Sequence, residues 1–191
     1  MFELLGIAPQ ALFGQLLLGL INGAFYAMLS LGLAVIFGLL DVVNFAHGAL
    51  YMLGAFVAWL LLDKLGINYW FALVLAPLTV GALGVVIERL FLKHLYKLDP
   101  LYGLLLTFGL ALIIEGIFRE LFGSSGQEYP VPALLQGATN LGFMILPIYR
   151  TWVVVVSLAV CLGTWYLIER TRLGAYLRAG TENASLVQAF G

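Results

Sequence analysis

Residues 19–56 read GLINGAFYAMLSLGLAVIFGLLDVVNFAHGALYMLGAF. Apolar residues run almost without pause until Asp41, Asn44 and His47 arrive within seven positions, with Gly48 directly after. A helix needs ~20 predominantly apolar residues to cross a bilayer core. In hydrocarbon every backbone amide must be paired, either within its own helix or in a closed barrel. Barrel strands alternate apolar and polar residues, whereas these runs are continuous, so the stretch predicts two helices separated by a polar break near 39–48.

The rest of the chain agrees. Of its 191 residues 63% are hydrophobic and 10% charged, against about a quarter charged in a soluble domain. Too few polar groups exist to cover a water-facing surface, so the chain reads as an integral membrane protein. Five stretches are long enough to span, at roughly 11–38, 46–62, 69–92, 101–122 and 150–168. The expected fold is all-α, a polytopic transmembrane helical bundle formed by a single domain over 1–191, with a kink at Pro77 in the third span. No Lys or Arg precedes the first stretch, and it far exceeds the roughly 7–15 residues of a signal-peptide core, so it reads as a span.

Lys and Arg set the expected orientation. Six of the nine lie in two groups: Arg89, Lys93 and Lys97, then Arg170, Arg172 and Arg178. Both groups are expected on the cytoplasmic side. The spans between them then place 123–149 outside, where Pro130, Pro132, Pro147 and the GSSG of 123–126 suit an exposed loop.

Composition also excludes functions. A net charge of −1 offers no basic face for phosphates, so nucleic acid is not an expected partner. Cys161 is the single cysteine and forms no intrachain disulfide. No phosphate-binding loop precedes a Lys, no His/Cys/carboxylate spacing suggests zinc, and no Ser occupies a nucleophile elbow. No catalytic residue, metal or cofactor is expected, and an enzyme is disfavoured.

Three features stand out instead. Small residues recur every four positions at Gly19, Gly23 and Ala27, and again at Gly54 and Ala58, which suits close helix packing within one subunit or between subunits. Glu115 lies inside an apolar run; a carboxylate at that depth usually faces protein or water, and Arg119 one turn on is placed to pair with it. At the opening break, Asp41 or Asn44 is placed to cap a helix starting near Phe45, leaving His47 and Gly48 in its first turn. Interrupted helices of this kind line substrate paths in transporters, but a tight turn between two spans has the same sequence.

The stretch 19–56 resembles the N-terminal region of the branched-chain amino acid ABC transporter permeases. The family's G-x-x-Y-A-L stretch is matched by Gly23 to Leu29, its N-F-A-H-G by Asn44 to Gly48, and its M-x-G-A-Y by Met52 to Phe56. LLLTFGLALIIEG at 104–116 is similar to the T-x-G-L-x-L region, with Glu115 about where glutamine is common. TRLGAYLRAGTENASLVQAFG at 171–191 is similar to the family's cytoplasmic loop, with Gly174, Arg178, Ala179, Asn183, Ala184 and Gly191 matching.

The resemblance implies the shorter of two paired permease subunits in a bacterial inner-membrane importer of amino acids, with further spans after residue 191. It implies a second permease subunit, two cytoplasmic ATPase subunits and an extracytoplasmic substrate-binding protein as partners, alongside membrane lipid. Asn44, His47, Gly48 and Glu115 are candidates for a substrate path by their polarity within apolar runs, while the resemblance implies that 171–191 couples to the ATPase. There Gly174 would end the last span. The alternative is a passive channel or ion-coupled carrier for urea, amides or similar solutes.

Overall fold

The computed structural model describes residues 9–40, 44–96 and 98–182. Its helices are α1 (Pro9–Leu40), α2 (His47–Leu65), α3 (Tyr69–Leu90), α4 (Pro100–Phe122), α5 (Ile148–Arg170) and α6 (Arg172–Glu182). The first five are long and apolar enough to cross a membrane, and each matches one expected span to within a few residues. The protein is an all-α, multi-pass membrane protein. Two compact units divide it, 1–32 with 131–191 and 33–130, α1 passing from one to the other.

In the unit 33–130, α2 packs against both α3 and α4. The turn between α2 and α3 follows from local chemistry. Gly66 takes φ 64°, which a residue without Cβ adopts freely. Its amide bonds Leu62 O at 3.0 Å, and that of Ile67 bonds Leu61 O at 2.9 Å. These pairs close the C-terminus of α2 in a Schellman arrangement. Asn68 then caps α3, accepting from Phe71 N at 3.2 Å. Pro77 lies inside α3, which continues past it as one helix to Leu90. Asp99 accepts from Leu101 N at 2.9 Å and Pro100 occupies the first turn of α4, where its missing N–H costs nothing.

Aromatic rings set the register of α2 on α4. Phe56 lies 4.7 Å from Phe118 and 5.1 Å from Phe122 by ring centroids, and Trp59 lies 5.5 Å from Phe122. Later residues of α2 thus meet later residues of α4, so the two helices run parallel. Gly54 of α2 faces α3: a Cβ added there would meet Val80 Cγ2 at 3.7 Å. That distance is ordinary van der Waals contact, so the seam has room for a small side chain at this position.

The α1 stripe behaves differently. Gly19, Gly23 and Ala27 are exposed, and a Cβ added at either glycine would meet nothing within 4 Å.

In the other unit, 131–147 is more ordered than a plain loop. Strand β1 (Ala138–Asn140) pairs antiparallel with β2 (Ile145–Pro147), with Thr139 opposite Leu146. The turn is fixed by Asn140 Oδ1 accepting from Gly142 N at 2.8 Å, with Gly142 at φ 82°. Leu135 and Leu146 are buried beneath this hairpin, which leads directly into α5 through Pro147.

Candidate functional site

The polar break in the opening stretch is built from α4 as much as from its own residues. Asn44 Oδ1 accepts from Ala46 N at 3.0 Å, and Asn44 O accepts from His47 N at 3.3 Å. The turn occupies Phe45 and Ala46, and α2 begins at His47, close to the expected start near Phe45 and with His47 and Gly48 in its first turn. Ala46 takes the N-cap position in right-handed helical conformation without a side-chain cap. Asn44 thus forms an Asx turn two residues ahead of the cap, where its short side chain reaches the next amide but one. Asp41, the other candidate cap, lies outside the described residues.

Among the described residues the amide of Phe45 finds its acceptor on another helix. It donates to Thr107 Oγ1 of α4 at 3.2 Å. The same hydroxyl donates to Leu104 O at 3.0 Å, the back-bond that satisfies a Thr inside a helix. Thr107 is 1% exposed, and Ala46 and Ala49 are 3% exposed. Phe45 and Phe108 meet edge to face at 6.2 Å. Leaving a buried amide unpaired costs about 1–3 kcal/mol and a part-buried one a share of that, which the hydroxyl offsets at this break. Sequence reasoning places Thr107 in the T-x-G-L-x-L match but gives it no role. The one signal for it is a lone hydroxyl in an otherwise apolar run.

The structure brings Asn44, His47 and Gly48 together, with Asn44 and His47 half-buried and Gly48 exposed. It does not bring Glu115 to them. Glu115 is exposed on α4, eight residues past Thr107, or about 12 Å along the axis. Among the described residues no ion pair joins it to Arg119.

The corner between α5 and α6 is the second candidate. α5 ends at Arg170, and Thr171 is extended at φ −110°, ψ 160°. Thr171 Oγ1 donates to Leu167 O, and Arg178 Nη1 donates to Ile168 O, so two carbonyls at the end of α5 are capped by side chains. Arg178 also lies 3.9 Å from Glu169. Gly174 is buried, and a Cβ there would collide with the backbone of Ile168. The break therefore falls at Thr171, and Gly174 belongs inside α6, where it allows close approach instead of ending the span. Gly174 and Arg178 face α5, while Ala179 is exposed. Asn183, Ala184 and Gly191 lie outside the described residues.

Outside the spans, burial raises the Tyr96 phenol above its ordinary range, helped by the hydrogen bond it donates to Glu88 at 3.1 Å and by that carboxylate's charge. Burial likewise raises Tyr129, with Tyr69 beside it adding to the shift. Both phenols are protonated at neutral pH.

Five apolar helices, one of them entered through a polar turn bonded to its neighbour, make this a multi-pass membrane protein. The chain belongs to the branched-chain amino acid transport system permease component family, whose model matches residues 15–191. It is 26% identical over 190 residues to the high-affinity branched-chain amino acid transport system permease protein BraD of Pseudomonas aeruginosa, covering 93% of this chain and 61% of that one. The high-affinity branched-chain amino acid transport system permease protein LivH of Escherichia coli (strain K12) is 25% identical, with the same coverages. A probable branched-chain amino acid transport permease protein LivH of Methanocaldococcus jannaschii is 31% identical over 173 residues, covering 86% of this chain and 53% of that one. The chain thus spans just over half to three fifths of the length of these relatives. No solved structure matches it.

Proposed function

We propose that this chain forms part of the transmembrane permease of an ATP-driven importer of branched-chain or related amino acids, in the inner membrane of a bacterium. Family membership over 15–191 is the observation that carries the reading. On this reading the Asn44–His47 turn and Gly48 line the path, since a polar break in an apolar span is costly unless it serves a cavity. Glu115 would line a separate part of that path. The partners are a second permease subunit, two cytoplasmic ATPase subunits and an extracytoplasmic binding protein. The segment 171–191 is the coupling element, meeting the ATPase through its exposed residues such as Ala179. The basic groups at 89–97 and 170–178 place both connections in the cytoplasm.

Transport here is alternation between two states with different affinities for solute, driven by ATP on a partner. The test is uptake of labelled leucine by membrane vesicles containing the intact protein with its ATPase and binding protein. Uptake should require ATP and disappear when the ATPase subunit is omitted. Uptake that persists without ATP would make the protein a channel or ion-coupled carrier for small solutes.

A further inference from the structure

The register of α2 on α4 fixes the depth of the polar turn. α4 has 23 residues, about 34 Å at the usual rise, close to the ~30 Å of a hydrocarbon core. Its middle residue is Ala111. Thr107 is four residues, or about 6 Å, from that middle and seven residues, or about 10 Å, from Pro100. The Phe45 amide is bonded to the Thr107 hydroxyl, so it shares that level. The aromatic contacts of Phe56 and Trp59 with Phe118 and Phe122 extend the same parallel register upward. α2 therefore starts about one third of the way along its parallel neighbour, at a depth where lipid offers an amide no acceptor.

We propose that Thr107 is the positioning residue of the Asn44–His47 turn, holding it inside the hydrocarbon layer about 10 Å along α4 from Pro100. Its hydroxyl is suited to this because it accepts from Phe45 N while its own proton goes to Leu104 O. Valine has nearly the same shape and neither function. Serine keeps both. That the turn faces the solute rests on the permease reading, but its depth and its dependence on Thr107 do not.

The experiment uses the intact protein assembled with its partners in lipid vesicles. A nitroxide on Phe45→Cys is compared with nitroxides on Phe108→Cys and Leu101→Cys, all exposed positions. Its depth, read from relative collision with oxygen and with a water-soluble nickel chelate, should match position 108 and differ from position 101. A depth matching position 101 overturns the proposal. In the Thr107→Val background the label at 45 should gain mobility, and leucine uptake by the unlabelled variant should fall about tenfold. Thr107→Ser should restore both. Unchanged mobility in Thr107→Val, or failure of Thr107→Ser to restore it, removes the positioning role. If Thr107→Val does not assemble, the depth measurement on the Thr107 background still decides the placement, and Thr107→Ser against Thr107→Ala decides the role. These spectra need neither solute nor ATP, so they stand or fall separately from the transport reading.

Discussion

The turn before α2 and the corner before α6 each lead into a helix, yet the bonds that hold them differ in range. The turn before α2 relies on a hydroxyl 62 residues away on another helix. At the corner the bonds are local: Thr171 reaches back four residues, and Arg178 reaches back ten. Depth explains the difference. A break surrounded by apolar side chains must have each amide matched by protein, and a local turn of four residues offers too few acceptors. A break among Glu169, Arg170 and Arg172, with Glu169 and Arg170 exposed, also has water to draw on.

The largest effect should follow from Asn44→Leu. It removes the acceptor of the Ala46 amide at a residue 3% exposed, and a buried unpaired donor costs about 1–3 kcal/mol. Thermal unfolding in detergent should show that loss, and uptake should fall with it. Because Asn44 and Thr107 hold the same turn, the double variant Asn44→Leu/Thr107→Val should lose less than the two single losses added together. Additive losses would mean that the two residues act separately, and the contrast with the corner would fail.

A smaller effect is expected of Arg178→Met. The side chain of Arg178 is 42% exposed and that of Glu169 54%, and solvent screening limits such a pair to less than about 1 kcal/mol. The difference between Arg178→Met and the parent should shrink further in about 1 M salt, where the Debye length is ~3 Å. A loss as large as that of Asn44→Leu, unmoved by salt, would show the corner to be as dependent on buried polar contacts as the turn. Coupling can be read in the same samples as ATP hydrolysed per leucine transported.

How much of this is legible in the sequence depends on the range of each interaction. The five spans can be read because length and continuous hydrophobicity are local properties, and the structure moves their ends by only a few residues. The partner of the Phe45 amide cannot be read, because nothing near residue 45 records a threonine at 107. Strands β1 and β2 have three residues each, too few for alternation to be visible. Gly174 is legible as a special position but its reason is not: a glycine that ends a helix and one that admits a neighbouring backbone look alike until the neighbour is seen. The stripe at Gly19, Gly23 and Ala27 and the one at Gly54 share a spacing, and the spacing alone does not say that Gly54 faces Val80 of α3. Of the candidate path residues, Asn44, His47 and Gly48 are adjacent in sequence and stay adjacent in space. Chemistry groups Glu115 with them, and the rise of α4 separates it.

The smallest effect belongs to a second hydroxyl that makes the point by contrast. Thr107 Oγ1 both donates and accepts, whereas Tyr129 Oη is buried without a hydrogen-bond partner among the described residues. Removing a satisfied hydroxyl exposes the need of its partner; removing an unsatisfied one leaves nothing behind it unpaired. Tyr129→Phe should therefore leave the unfolding midpoint unchanged or slightly raised at neutral pH, while Thr107→Val lowers it. The two should also separate under alkali. Burial raises the Tyr129 phenol above its ordinary 10.0 in the folded protein. The unfolded chain then gives up this proton first, so the stability held by the neutral phenol is fully present below about pH 10 and is lost as pH rises through the folded value. Tyr129→Phe removes that component, and its stability should decline less steeply than the parent's above about pH 10. A clear loss in Tyr129→Phe at neutral pH would show that the phenol has a partner after all, and a parent and variant that fall in parallel would show that burial does not raise its pKa.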